Sequence, residues 1–421
     1  MILKDRDKMH IWHPLTQHKL HPENIAITNA KGSLLYDEHG KSYIDAISSW
    51  YTCMYGHCNP FITKRVAEQL GKLHHIVFSS LTHEPAIKLS EELIKVLPKN
   101  QSKLFFSDNG STSVEIAIKM ALQYHFNNNE KRTTLIAFED GFHGDTFGAM
   151  SVSGISVYNG PFEDYFLEVK RIPTPTKDNI ANTIILLKEL VSQHKIAGFI
   201  YEPLVQGAAA MKMHDANGLN DILKFCNKQH IITIADEVMT GFGKTGRCFA
   251  SDHIETKPDI ICLSKALTGG IMPMAITSCK QEIYNAFYSD DIGKGLFHGH
   301  TYSANPLACS AALASLELLQ SDTIQNNIKR IISSHQSFNE RIHDHPKVES
   351  TRQTGIIFAL DLKIKMERYG NLRDQLFNFF LKNGVFLRPL GNTIYIQAPY
   401  TISEKELQTI YDVIEKALDT F

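Results

Sequence analysis

Between about Pro60 and Asp291 the chain repeats one arrangement: a short apolar run, then polar or charged residues, then a stretch long enough for a helix. Five runs stand out. They are Lys103–Phe106 before Ser107–Asp108, Thr134–Phe138 before Glu139–Asp140, and Gly198–Tyr201 before Glu202. Ile231–Ala235 before Asp236–Glu237 and Ile260–Leu263 before Ser264–Lys265 complete the set. Such alternation argues for an α/β chain with a mostly parallel central sheet and crossover helices. In open α/β sheets ligands bind beyond the carboxyl ends of the strands, so five strands delivering polar groups there predict one shared site. A polar residue follows any single strand by chance; only the joint pattern carries the inference.

The flanks read differently. An aromatic, His-rich segment around Ile11–Trp12–His13–Pro14 precedes strand-like runs at Asn24–Ala30 and Gly32–Tyr36, with a turn at Asp37–Gly40. Ser303–Gln320 reads as a long helix poor in charge. Beyond it, charged amphipathic helices surround strand candidates Gly355–Leu362 and Thr393–Ala398. The expected division is a large site-bearing domain over 60–315, a small α+β domain over 316–421, and an N-terminal segment, 1–59, joining the small domain. No internal repeat or low-complexity tract interrupts this plan.

Several function classes are disfavoured. Lys plus Arg is 43 and Asp plus Glu is 45, so the net charge of −2 gives no overall field for a polyanion such as nucleic acid. No stretch approaches the roughly 20 apolar residues that span a bilayer. Met1–His10 lacks the apolar core of a signal peptide, and seven cysteines are too sparse for a disulfide scaffold. A cytoplasmic protein with reduced thiols is expected. Cys53–Met–Tyr–Gly–His–Cys58 fits no standard zinc spacing and reads as structural, with no metal expected.

Asp108–Asn–Gly–Ser–Thr–Ser–Val–Glu115 leads from a strand through a turn into a helix. Val114, Ala117, Ile118 and Ala121 repeat with the spacing of a buried helix face, and Thr112 with Glu115 fits a capping box. The backbone N–H groups of Gly110–Thr112 and the nearby hydroxyls then make an anion cradle, although a plain helix cap gives the same pattern. Gly241–Phe–Gly–Lys–Thr245 is a decoy for an ATP-binding loop: the glycine required five residues before Gly243 is Val238. Asp236 and Lys265 stand 29 residues apart, about one strand–helix–strand unit, each at the end of its own apolar strand. Desolvation would make such a lysine a nucleophilic Schiff-base former. A buried aspartate needs a cationic partner, which a protonated pyridine nitrogen supplies. Together with a phosphate cradle these are the parts for pyridoxal phosphate; a structural Asp–Lys ion pair is the alternative.

Asp236–Glu–Val–Met–Thr–Gly–Phe–Gly–Lys–Thr–Gly246 and Pro258–Asp–Ile–Ile–Cys–Leu–Ser–Lys–Ala–Leu–Thr–Gly–Gly270 resemble the signature of class III (subgroup II) aminotransferases, and the resemblance runs along nearly the whole chain. Within the class the chain looks closest to the biotin-synthesis branch. That narrower match rests on Trp12–His–Pro14, Ser48–Ser–Trp–Tyr51, Phe142–His–Gly–Asp–Thr–Phe–Gly–Ala–Met–Ser151, Glu202–Pro–Leu–Val–Gln–Gly207 and Arg388–Pro389. The resemblance implies fold type I of the pyridoxal-phosphate-dependent transferases and a homodimer whose active sites lie between subunits. The implied reaction is ping-pong transfer of an amino group from S-adenosylmethionine to 8-amino-7-oxononanoate, giving 7,8-diaminononanoate.

Residue roles follow from the same resemblance. Lys265 would hold the cofactor and shuttle the proton, and Asp236 would face the pyridinium. Gly110 and Ser111 would bind the phosphate, with His300 and Thr301 of the other subunit completing that site. Phe142 would stack on the ring where the family usually has Tyr. Trp50, Tyr51, Leu15 and Gly299 would line the substrate pocket, and Arg388 would receive the acceptor's carboxylate through a bidentate fork.

Some positions depart from the branch. Members that use S-adenosylmethionine commonly have Tyr at the place of Leu15 and Pro at that of His300. Lysine as donor therefore stays open, as does another ω-amino-acid or diamine aminotransferase of the class. Met239, where many ornithine- and γ-aminobutyrate-type enzymes have Gln, points back to biotin synthesis. Lys244 replaces the usual Arg and is expected to keep its charge without the fork.

Overall fold

The computed structural model describes residues 2–21, 24–154, 156 and 159–421. Strands β1 (Ile27–Lys31), β2 (Leu34–Asp37) and β3 (Ser42–Asp45) form an antiparallel meander. Gly40 turns the β2–β3 hairpin at a φ of +81°, a conformation glycine adopts without steric cost.

In chain order the strands that follow are β4 (Gln101–Ser107), β5 (Thr134–Phe138), β6 (Val169–Ile172) and β7 (Ile196–Tyr201). A short ribbon, β8 (Val205–Gln206) with β9 (Lys212–Met213), precedes β10 (Ile232–Asp236), β11 (Ile260–Leu263) and β12 (Ala275–Lys280). The central sheet has the spatial order β4-β12-β11-β10-β7-β5-β6. All five strands anticipated from the apolar runs are in it.

The other two, β6 and β12, carry no such run. Val-Lys-Arg-Ile of β6 is an edge strand with half-buried charged residues. Ala-Ile-Thr-Ser-Cys-Lys of β12 is half polar in composition yet interior to the sheet. It is buried because its hydroxyls find partners: Thr277 Oγ1 donates to the Ser113 carbonyl at 2.8 Å and Ser278 Oγ to Gln101 Oε1 at 2.7 Å. β12 runs antiparallel to both of its neighbours, so the sheet is mixed at this end. β4 and β11, both antiparallel to β12, consequently point the same way. That direction brings all five polar strand ends to one edge.

The helix Gly110–Asn127 buries Val114, Ala117, Ile118 and Ala121 against this sheet, as its spacing predicts. The charge-poor helix begins at Pro306 and not Ser303. Asn305 caps it, its Oδ1 accepting from Leu307 and Ala308 N–H at 3.0 and 3.2 Å, and proline opens the first turn. In the C-terminal part β13 (Val348–Thr354), β14 (Ile357–Leu362) and β16 (Thr393–Ile396) form a three-stranded antiparallel sheet. Helices Asp322–Ile342 and Glu404–Thr420 meet through stacked Phe338 and Tyr411, 4.2 Å between ring centroids. The short β15 (Val385–Phe386) pairs in parallel with β3, tying the N-terminal meander to the C-terminal part. Among the described residues no helix is long and apolar enough to cross a membrane.

Candidate active site

A cavity of about 810 Å³ opens at the carboxyl edge of the central sheet. Asp108, Glu139–Asp140, Glu202, Asp236 and Lys265, one contribution from each of the five strands, all reach it.

β10 and β11 are parallel neighbours, with Asp236 opposite Cys262, so Lys265 emerges one strand away from Asp236. Lys265 takes a left-handed turn, φ +51°, directly after the buried Ile260–Leu263 run. Its Nζ lies 5.0 Å from the centroid of the Tyr51 ring. Burial pulls its ammonium below the ordinary value, against the opposing charges of Asp236 and Glu202. Asp236 is 4% exposed. One of its oxygens lies 2.7 Å from His143 Nδ1, and the other accepts from the Val238 N–H at 3.1 Å. His143 is itself buried, and its Nε2 has no hydrogen-bond partner. It belongs to the quoted Phe142–Ser151 motif, but its role was not legible there because Asp236 lies 93 residues away.

The anion cradle forms with a different cap. Asn109, extended at φ −153°, is the N-cap: its Oδ1 accepts from Thr112 N–H at 3.0 Å, and Thr112 Oγ1 accepts from Asn109 N–H at 3.2 Å. The capping box is therefore Asn109–Thr112 and not Thr112–Glu115. An asparagine side chain one residue before the first turn reaches the free N–H groups as well as a hydroxyl does. Glu115 is thereby released to hold the next short helix, accepting from Thr146 Oγ1 at 2.5 Å and from Gly148 N–H at 2.7 Å. The first-turn N–H groups of Gly110 and Ser111 have no intrahelical acceptor, and both residues line the cavity. Gly144 closes the same wall at φ +126°; a Cβ there would stand 2.0 Å from Ser111 Oγ.

Trp50 and Tyr51 reach the cavity on a left-handed turn. Ser48, Ser49, Trp50 and Tyr51 have φ of 48°, 47°, 61° and 70°. Each costs about 1–2 kcal/mol in this conformation. Side-chain hydrogen bonds hold the turn: Ser48 Oγ donates to the Gln397 carbonyl at 2.7 Å and Ser49 Oγ to Asp45 Oδ2 at 2.9 Å. The guanidinium of Arg388 lies 5.4 Å over the Trp50 ring. Tyr51 is buried against Tyr395, 6.0 Å between centroids. Leu15 and Phe142 line the same cavity with exposed side chains. Phe142 N–H is held by Glu202 Oε2 at 3.0 Å. Within one chain Gly299, His300 and Thr301 lie outside the cavity, His300 Nε2 sitting 3.1 Å from Asp108 Oδ2.

Lys244 does not behave as expected. It is fully buried, its Nζ donates to the Gly241 carbonyl at 3.0 Å, and burial followed by the charge of Lys265 pushes its ammonium well below the ordinary value. The Gly241–Thr245 segment is a buried turn and not the strand-to-helix loop of an ATP site. In the cysteine segment, burial opposes charge on His57, yet hydrogen bonds to Asp45 (2.8 Å) and to Cys53 push its imidazole up to about 10. All seven cysteines are free, and no cluster among the described residues could hold a metal ion. Arg368, Arg373 and Tyr395 also line the cavity. Lone arginines in a charged helical stretch look like surface in the sequence, so nothing there singled them out.

The class III aminotransferase family model matches residues 16–418. The chain is similar to the adenosylmethionine-8-amino-7-oxononanoate aminotransferase of Synechococcus elongatus, 41% identical over 97% of this chain and 98% of that protein. The enzyme of the same name from Staphylococcus aureus is 36% identical over 99% and 97%. The crystal structure of the Methanocaldococcus jannaschii enzyme of that name superposes with a TM-score of 0.94 at 34% identity, covering 99% and 98% of the two chains. A pyridoxal-phosphate-bound amine transaminase from an uncultivated Pseudomonas species gives 0.91 at 27% identity over 97% and 98%. The chain belongs to the class III aminotransferases, enzymes of fold type I that work with pyridoxal phosphate.

Proposed function

We propose that this protein transfers an amino group from S-adenosylmethionine to 8-amino-7-oxononanoate, giving 7,8-diaminononanoate in biotin synthesis. The two substrates are those in the names of its relatives. One observation carries the reading: a single cavity holds the desolvated Lys265, the buried Asp236 and an arginine, Arg388, stacked on Trp50.

The residues fit pyridoxal phosphate. Asp236, fixed by His143 and the Val238 N–H, would face the pyridinium nitrogen. Gly110 and Ser111 offer first-turn N–H groups and a hydroxyl to the phosphate, where Gly144 leaves room. Phe142 forms one wall. When bound, the cofactor supplies the electron sink that makes amino transfer possible.

The chain supplies the rest. Lys265 Nζ, with its proton affinity lowered, carries the proton that leaves and rejoins the amine-bearing carbon of the substrate. Arg388 binds the acceptor's carboxylate in a two-point fork, while Trp50, Tyr51 and Leu15 exclude water along its chain. Donor and acceptor use the site in turn. The donor leaves as a keto compound before the ketone at C7 of the acceptor becomes an amine. Gly299, His300 and Thr301 complete the site from a second copy, in a cytoplasmic homodimer.

The test is the absorption spectrum of the cofactor-loaded protein during addition of S-adenosylmethionine without acceptor. Loss of the long-wavelength cofactor band, and its return on adding the oxononanoate, is the expected result. Leu15, apolar in the cavity where adenosylmethionine-using members commonly have Tyr, favours lysine as a second donor reading. A band that lysine bleaches and S-adenosylmethionine leaves unchanged moves the donor. Turnover of β-alanine or putrescine but not the oxononanoate overturns the reading.

A further inference from the structure

Three arginines line the cavity, Arg368, Arg373 and Arg388, and the carboxylate reading above uses only the last. Arg373 is the most enclosed of them at 3% exposure, although it stands in the first turn of a charged helix, Asn371–Lys382. Its Nη1 donates to Asp374 Oδ1 at 2.7 Å. Its guanidinium lies 5.7 Å from the ring centroids of both Tyr369 and Phe377. Its Nε–H is buried and has no acceptor.

Such an arrangement is unfavourable in the free protein. A buried charged donor without an acceptor is destabilising, because the group has given up water and received nothing in return. The charge of Arg373 also repels that of Arg388, whose proton affinity is lowered by burial first and by Arg373 next. Against these two guanidiniums the carboxylate paired with Arg373 is that of Asp374. His21 cannot compensate, being neutral or cationic, and burial followed by the Arg388 charge pushes its imidazole below the ordinary value. A wall with this excess of positive charge gains most from an anion that reaches both arginines.

We propose that Arg373 is a specificity-determining residue that joins Arg388 in one receptor for the substrate's terminal carboxylate. The cavity then selects acceptors that end in a carboxylate over uncharged acceptors of equal length. The identity of that acceptor rests on the oxononanoate reading; the receptor itself does not.

Calorimetric titration of the cofactor-loaded protein with heptanoate and with heptanamide separates the two. The wild type is expected to prefer heptanoate. Arg373→Gln should weaken heptanoate by roughly 10- to 100-fold, the loss of charge-assisted hydrogen bonds, and leave heptanamide within about 2-fold. Arg373→Lys keeps the charge without the fork and should restore part of the preference, which also guards against a Gln variant that fails to fold. In steady state the same variants should raise the KM for the oxononanoate by the same factor with kcat within about 3-fold. Equal weakening of both ligands, or of neither, overturns the proposal and leaves Arg373 a structural anchor on Tyr369 and Phe377. Arg373-dependent heptanoate binding in a protein that never turns over the oxononanoate leaves the receptor standing and sinks the substrate reading instead.

Discussion

Glu202 directly follows β7, its two carboxylate oxygens accepting backbone N–H groups, from Phe142 and Gly207, at 3.0 Å each. Burial nevertheless pushes its carboxyl up to about 7, the charge of His143 opposing and that of Asp236 adding to the rise. The folded state thus holds this proton more tightly than the unfolded chain. The associated stability is complete below the ordinary value of 4.5 and is lost as pH rises to about 7. The shift corresponds to on the order of 3 kcal/mol for this fully buried group. Thermal melts should show the wild type losing stability relative to Glu202→Gln across that window, and a constant difference would contradict the shift. At Lys265 the prediction concerns rate. Lys265→Ala should end multiple turnover, slowing steady-state transfer by at least about 100-fold, because among the described residues no other lysine lines the cavity. Rapid-mixing assays that still show several turnovers would remove Lys265 from its role. Such residue-level chemistry was partly legible. Asp236 and Lys265 announced themselves by ending apolar strands, whereas His143 and Arg373 gain their meaning only from what they are buried against.

Two elements carry the proposed phosphate side of the site. Asn109→Ala removes the cap of the helix Gly110–Asn127 and should cost about 1 kcal/mol, read as a lower melting temperature together with weaker cofactor retention. Gly144→Ala is harsher: its φ of +126° disfavours any side chain, and the new Cβ would meet Ser111 Oγ at 2.0 Å. Cofactor affinity should fall by at least about tenfold, measured by spectroscopic titration of the apo protein. Unchanged affinity would place the phosphate elsewhere. Apolar runs exposed the four interior strands β5, β7, β10 and β11 because a strand covered on both faces cannot carry charge, whereas β4, at the sheet edge, keeps an exposed Lys103 within its run. They could not expose β12, whose threonine and serine are satisfied by side-chain hydrogen bonds to Ser113 and Gln101, residues far away in the chain.

At the scale of the whole molecule the proposal is a dimer. Ile292 and Phe297 are 81% and 77% exposed in the single chain, close in sequence to Gly299, His300 and Thr301. Apolar side chains left bare beside a segment assigned to a neighbour's site fit a covered surface. Sedimentation at micromolar concentration should give twice the 47.5 kDa chain. Mixing Lys265→Ala with Thr301→Glu chains should recover about a quarter of wild-type activity, since half the dimers are hybrids with one intact site. Recovery of nothing would confine each site to one chain.

The sequence by itself determined the class of sheet, the edge where the cavity lies, and the placing of Asp236 and Lys265 on neighbouring strands. These follow from local rules: hydrophobic periodicity, strand length and the polar residues that end a strand. Tertiary structure alone decided which cap closed the helix at Asn109, that burial and the charge of Lys265 pull down the ammonium of Lys244, and that Arg373 shares a cavity wall with Arg388 and lowers its proton affinity. Each of these depends on desolvation and on partners brought together by packing, and neither quantity is written in the spacing of residues along a chain.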